Sequence, residues 1–260
     1  MRFAAAIAAA SLAFAAAPPG HAQTVRPTSA EVPANLLRLS IVFAEPPNGP
    51  VLPRLALVLA DGTRIDQPFL DQELWSPDGR TLTVLMHPGR VKTGLVASET
   101  LGRALVPGET VTVTLDGRPL RTWTVTVPDA EPPLPARWSA SDPRAGTRDA
   151  LTVRLDGQVD AFDADLIAVR SATGTRVAGR GGLSDGETVW TFLPEAPWGR
   201  GRYTVVAAPT LEDPSGNRPG SAFEHPPGAE DGLAAGPRFE VKAGGRRRRP
   251  GKDTKTRRRE

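Results

Sequence analysis

The sequence predicts an all-β protein built of antiparallel sandwiches. Three observations carry that reading: short runs alternating apolar and polar residues, turn-forming glycine and proline pairs between them, and no sustained helical period. The chain has 260 residues, including 26 glycines and 27 prolines. One stretch, GLVASETLGRAL (94–105), has a helix-like pattern, enough for a turn or two.

In the first run, Leu37, Leu39, Ile41 and Phe43 alternate with Arg38, Ser40 and Val42. One apolar face opposite a mostly polar one is the mark of a half-buried strand. TLTVLM repeats the rhythm with Leu82, Val84 and Met86, and ETVTVTL with Val111, Val113 and Leu115. RTWTVTV follows with Trp123, Val125 and Val127. Asp116-Gly117 separates the last two runs and tolerates positive φ, while Arg118-Pro119-Leu120 is read as lengthening the loop beyond a tight hairpin. VPDAEPPLPAR (127–137) is a stiff, proline-rich boundary. Beyond it come ALTVRL, DLIAVRS, ETVWTFL, RYTVVAA and RFEVK, spaced by glycine and proline turns. The expected division is 36–128 and 134–242. Each part is close to the ~100 residues of an immunoglobulin-like sandwich, so two such domains stand in tandem. QTVRPTSAEVPAN, ahead of the first strand, has no apolar period and reads as a flexible lead-in.

The chain opens with Met1-Arg2, an apolar run from Phe3 to Ala17, and the small-x-small triplet Gly20-His21-Ala22. That is the layout of a secretory signal peptide over 1–22, cut before Gln23. The run is shorter than the ~20 apolar residues of a membrane span, and no later stretch of the sequence is long and apolar enough. The expected address is secreted or periplasmic. There is no cysteine. Disulfides, a lipid-modified cysteine and cysteine metal sites are therefore excluded, and buried apolar surface must hold the fold.

Net charge is +3, but unevenly spread. RRRRPGKDTKTRRRE (246–260) carries nine Lys or Arg against Asp253 and Glu260, a net +7. With Arg2 in the leader, −5 remains for residues 23–245. The body is mildly acidic and does not read as a nucleic-acid binder; GGRRRRPGKDTKTRRRE has nothing apolar to dock, and the tail, 243–260, is expected to be disordered. Such a segment is drawn to anionic surfaces, lipid phosphates or acidic wall polymers in an exported protein. Its other reading is a solvated end folded loosely over the acidic body. An envelope protein is the other expected partner, and nucleic acid ranks behind these.

The second half carries a family resemblance. Val159-Asp160, Trp190-Thr191-Phe192 with Pro194, then Gly201, Tyr203 and Leu211-Glu212-Asp213-Pro214-Ser215-Gly216-Asn217 before Phe223 form its pattern. Over 145–224 the chain resembles the bacterial immunoglobulin-like domain of the SbsA type found in S-layer proteins. LLRLSIVFAEPPNGPV and DGRTLTVLMHPGR look like a divergent relative in the first half, without the Asp-x-x-Gly-Asn signature. The resemblance implies an exported spacer, scaffold or binding module and no catalysis.

Asp213, Ser215 and Asn217 alternate in the manner of calcium ligands, but a hard cation needs six to eight oxygens and only Glu212 and Asp213 are local carboxylates. The segment reads as a turn, with Asp and Asn bonding nearby backbone N–H groups and Gly216 or Asn217 taking the left-handed conformation. Gly182-Leu183-Ser184-Asp185-Gly186 fits the G-x-S-x-G elbow, yet a strand follows it rather than a helix. The mature chain offers only His87 and His225 as bases, so a glycine-rich hairpin loop is the better reading. His87 is a strand-end residue, and Arg90 and Lys92 beside it read as solvated. A glycosidase needs two carboxyls facing each other across a cleft. Asp160, Asp163 and Asp165 lie between two predicted strands and read as exposed loop acids, Asp61, Asp66 and Asp71 are strewn through the first half, and the sequence gives no cleft to hold them. Trp75, Trp138 and Trp198 fall near strand ends, where they either close a core or offer platforms to a sugar. The expectation is a non-enzymatic scaffold or interaction module at the envelope, with no catalytic, cofactor or metal residues. A carbohydrate-binding module on the strand-end aromatics is the alternative, and a hydrolase comes third.

Overall fold

A computed structural model of the chain describes residues 23–91, 100–223 and 232–242. The leader (1–22), the basic tail (243–260), Lys92, His225 and the first half (94–99) of the helical candidate at 94–105 lie outside the described residues. Alternation, glycine turns and β-branched residues build fifteen strands among those described. Eight belong to the first half: β1 (Gln23–Arg26), β2 (Glu31–Pro33), β3 (Arg38–Phe43), β4 (Leu55–Leu59), β5 (Phe69–Trp75), β6 (Thr81–Met86), β7 (Thr110–Leu115) and β8 (Arg118–Thr126). Seven follow: β9 (Ser139–Ala140), β10 (Leu151–Arg154), β11 (Ile167–Ser171), β12 (Gly179–Ser184), β13 (Val189–Pro194), β14 (Gly201–Ala207) and β15 (Ala234–Val241). A single helical turn, α1 (Pro88–Val91), follows β6.

The first half pairs its strands in the orders β1-β3-β6-β5 and β2-β8-β7-β4, the second in β9-β10-β13-β12 and β11-β14-β15. Pairing is antiparallel except between β2 and β8. Lettered along the chain, the second half is A-B-E-D facing C-F-G, the strand order of the immunoglobulin sandwich. In the first half strand A is split, β1 lying on one sheet and β2 on the other. Each half has its own apolar core. Leu39, Ile41, Leu57, Leu82, Val84, Val113 and Trp123 centre the first, and Leu151, Val153, Val169, Trp190, Val205 and Leu211 the second. Tyr203, at the start of strand F, donates from its hydroxyl to the Gly199 carbonyl at 3.1 Å, a tyrosine corner.

Four expectations about strands and turns need correcting. The lead-in is not flexible: β1 and β2 bury Val25 and Val32 in the first core. The Asp116-Gly117 turn is tight, since Leu115 pairs with Arg118 across it and both residues take positive φ, 52° and 74°. The extra length is absorbed by an irregularity at Val113/Thr114 within the ladder. GRGGLS forms strand β12 rather than a loop, because its glycines leave room for the neighbouring rings: a Cβ on Gly181 would lie 2.5 Å from the Trp190 Nε1. Val127 does not continue the inward face of β8 and is exposed.

Candidate functional site

The Leu211–Phe223 segment closes on itself before it touches anything else. Asp213 Oδ1 accepts the backbone N–H groups of Ser215 and Asn217 at 2.8 and 2.9 Å, and Oδ2 accepts the Asn217 amide at 2.7 Å. Asp213, Ser215 and Asn217 are 3%, 1% and 2% exposed. Every Asp213 oxygen is engaged by a donor of the turn itself, and among the described residues no group of three His, Cys, Asp or Glu could hold a metal. Burial pushes the Asp213 carboxyl up to about 6, against the pull of its bonds from Asn217 and Ser215. Gly216 (φ +83°) fits where a Cβ would lie 2.5 Å from Leu37 Cδ1 and 2.9 Å from the Phe223 ring.

The closed turn docks on the first sandwich. Ser215 Oγ donates to Asn35 Oδ1 at 3.0 Å, and the Leu37 N–H donates to the Pro214 carbonyl at 3.0 Å. Asn35 and Asn217 amides both donate to the Asp129 carbonyl, at 2.7 and 3.3 Å, which ties the linker into the same knot. Beside it, Arg38 on β3 donates from Nε to Asp160 (2.8 Å) and from Nη2 to Glu212 (2.9 Å). Burial would raise Glu212, but hydrogen bonds from Arg218 and Arg38 outweigh it and hold its carboxyl below the usual range. Asp163 accepts the Glu212 N–H at 2.8 Å, and burial pushes it up to about 6. Asp160 and Asp163 therefore serve the junction and are not wet loop acids. Asp165 contributes its carbonyl, which accepts from Arg176. In the first half Asp61 caps the Thr63 N–H, and the Asp66 carbonyl accepts from Arg90. Arg90 is buried rather than solvated, its guanidinium donating also to the Arg103 carbonyl.

The residue that follows the G-x-S-x-G segment, Glu187, makes the second anchor. Ser184 ends β12, and Asp185, Gly186 and Glu187 turn the chain with φ of 51°, 66° and 61° into β13. The Glu187 carboxylate, its side chain 1% exposed, accepts Arg26 Nη1 (2.8 Å), the Thr28 N–H (2.7 Å) and the Thr28 hydroxyl (2.8 Å). This is a hairpin tip gripping the first sandwich, with no strand-to-helix elbow. His87 lies in the other half, its Nδ1 accepting the Gly89 N–H at 3.1 Å. What sequence reasoning missed is that the two site-like loops face one common surface, for no motif announces contact between positions some 160–180 apart.

Two of the three tryptophans are core residues. Trp138 and Trp198 are 4% and 3% exposed, their indoles donating to Asp156 Oδ1 (2.7 Å) and the Asp149 carbonyl (2.8 Å). Trp198 also meets Tyr203 and Phe239 edge-on at 5.4 and 5.8 Å. Neither can serve as a sugar platform. Trp75 is half-buried, its indole donating to Glu73 Oε2 at 2.8 Å. With Leu74, Thr83, Leu85, Arg38 and the 50% exposed Phe162 it lines a groove of about 500 Å³ beside the junction.

No protein-family model matches the chain, and no curated protein matches it. Among solved structures it is similar to the BSP domain of a biofilm-associated protein, at 12% identity over 82% of this chain and 28% of that one, TM-score 0.27. It is similar also to the tandem Ig repeats of Dlar, at 12% identity over 86% and 99%, TM-score 0.22. A third is SGBP-B from a complex xyloglucan utilization locus in Bacteroides uniformis, at 17% identity over 70% and 45%, TM-score 0.27. The chain spans little more than a quarter of the first of these and under half of the third. The order of the strands defines its class: a tandem immunoglobulin-like β-sandwich protein. No helix among the described residues is long and apolar enough to cross a membrane.

Proposed function

We propose that this chain is an exported, non-enzymatic scaffold that holds two immunoglobulin-like sandwiches in one fixed placement at the cell envelope, secreted or periplasmic after loss of residues 1–22. The second sandwich is read as the SbsA type on the residues quoted for it. One observation carries the proposal: the buried polar groups that could have formed a site, Asp213, Ser215 and Asn217 in one loop and Glu187 in the other, are consumed in their own turn and in the junction. Anchorage falls to the basic run 246–260, which gains roughly 1 kcal/mol per Lys or Arg near an anionic surface and loses it with salt. Co-sedimentation of chains 23–260 and 23–245 with anionic vesicles tests this. Stronger, salt-reversible binding by the longer chain is expected; equal, salt-insensitive binding overturns the anchorage, and hydrolytic turnover lost in Ser184→Ala overturns the non-enzymatic reading.

The groove beside Arg38 favours a second reading, carbohydrate binding through Trp75 and Phe162. Aromatic faces there could stack on a sugar while the guanidinium and Thr83 meet hydroxyls. Glycan-array binding abolished by Phe162→Ala supports it, and an array without signal for the intact chain ends it.

A further inference from the structure

The β11-β14-β15 sheet of the second sandwich points Val169, Val205, Phe239 and Val241 into the core. With the two-residue alternation of a strand, Arg170, Arg202, Thr204 and Arg238 belong to its other face. The register sets Arg170 opposite Thr204 and Thr204 opposite Arg238, so two arginines flank a threonine in one row across three strands, about 10 Å apart at two strand spacings. Arg202 is two residues along β14, opposite Glu240. No ion pair among the described residues involves Arg170, Arg202 or Arg238; Glu240 lies 3.5 Å from Lys242 instead. Arg202 and Arg238 are exposed, and Arg170 is held in place by donating from Nη1 to the Gly174 carbonyl at 2.9 Å. With Lys242 and Glu240 included, this face carries a net +3, on a body of residues 23–245 whose charge sums to −5. Lys242 directly follows β15, and the basic run begins at Arg246, four positions further along the chain.

We propose that the outer face of the β11-β14-β15 sheet is a docking surface for an anionic phospholipid bilayer, laid flat against the headgroups. The inference rests on the anchorage proposed above and extends it from the tail to the folded body. Charge complementarity identifies the occupant. A sheet face presents its cations in one plane, which suits an extended sheet of phosphates, and an acidic body elsewhere on the chain turns this face toward them.

The test uses vesicles of phosphatidylserine and phosphatidylcholine with four chains: 23–260, the same chain carrying Arg202→Gln and Arg238→Gln, 23–245, and 23–245 with both substitutions. All fifteen strands lie within 23–241, so the shorter chain keeps the whole fold. Each lost arginine is expected to weaken binding by about fivefold at low salt, in both backgrounds. An unchanged melting temperature shows that the exposed substitutions leave the fold intact. Unaltered vesicle binding by the double variant, with binding lost only on removal of the tail, overturns the sheet-face proposal and leaves the tail anchorage standing. No binding by any chain overturns both. Equal binding to pure phosphatidylcholine also overturns the sheet-face proposal, as does a loss seen on heparin but not on vesicles.

Discussion

Asp163 is a carboxylate placed among charges of both signs, with one main-chain donor of its own. Its Oδ2 accepts the Glu212 N–H at 2.8 Å, while Asp160 and Glu212 crowd it and Arg38 relieves it. Burial dominates and lifts the carboxyl from 3.8 to about 6. The folded state therefore keeps a proton that the unfolded chain has released, and this residue's contribution to stability falls as pH rises from 3.8 to about 6 and is level above. Glu212 runs the other way, its depressed carboxyl favouring the fold once ionised. In Asp163→Asn the amide oxygen can keep the Glu212 N–H while the charge is gone. Urea midpoints measured across that window should decline less steeply in the variant than in the parent. Superimposable profiles would show that Asp163 titrates normally. Asp213, also lifted to about 6, supplies the part of the slope that remains.

At the scale of strands, legibility followed how simply each element meets its neighbours. β6, β7 and β8 each set one face on a core and one toward solvent, so alternation alone marks them. β4, Leu-Ala-Leu-Val-Leu, is apolar on both faces, and a short unbroken run of that kind does not distinguish strand from buried helix. β5 loses its rhythm to an irregularity between Phe69 and Glu73. β12 carries glycines where a strand ordinarily needs side chains, because Phe192 and Trp190 fill the space: a Cβ on Gly179 would lie 2.3 Å from the Phe192 ring. β1 and β2 read as lead-in because each is short and anchors one edge of a different sheet. The candidate site divides in the same way. That Asp213 to Asn217 form a turn was legible from local chemistry. That Asn35 and Asp129 receive the turn was not, since such contacts depend on how two finished sandwiches meet.

For the molecule as a whole, Glu187 is the strongest test of that meeting. It joins a hairpin tip to Arg26 and Thr28 from 1% exposure, and removing it strands a half-buried guanidinium and a main-chain donor. Glu187→Ala should cost about 3 kcal/mol, at the low end for breaking a buried pair because the Arg26 side chain stays 29% exposed and can reach water. Calorimetry should show one transition for the parent and two, one per sandwich, for the variant. A variant that melts as the parent does would mean that the two cores were never energetically joined there. The junction also bears on how such a protein can change over time. Beads on a string can be shuffled, since each brings its own stability. Here a transplanted neighbour would have to offer its own counterparts to Asn35, Arg26 and Arg38, or leave acidic loops dehydrated against nothing. The halves are matched rather than interchangeable, and any exchange must replace both surfaces at once.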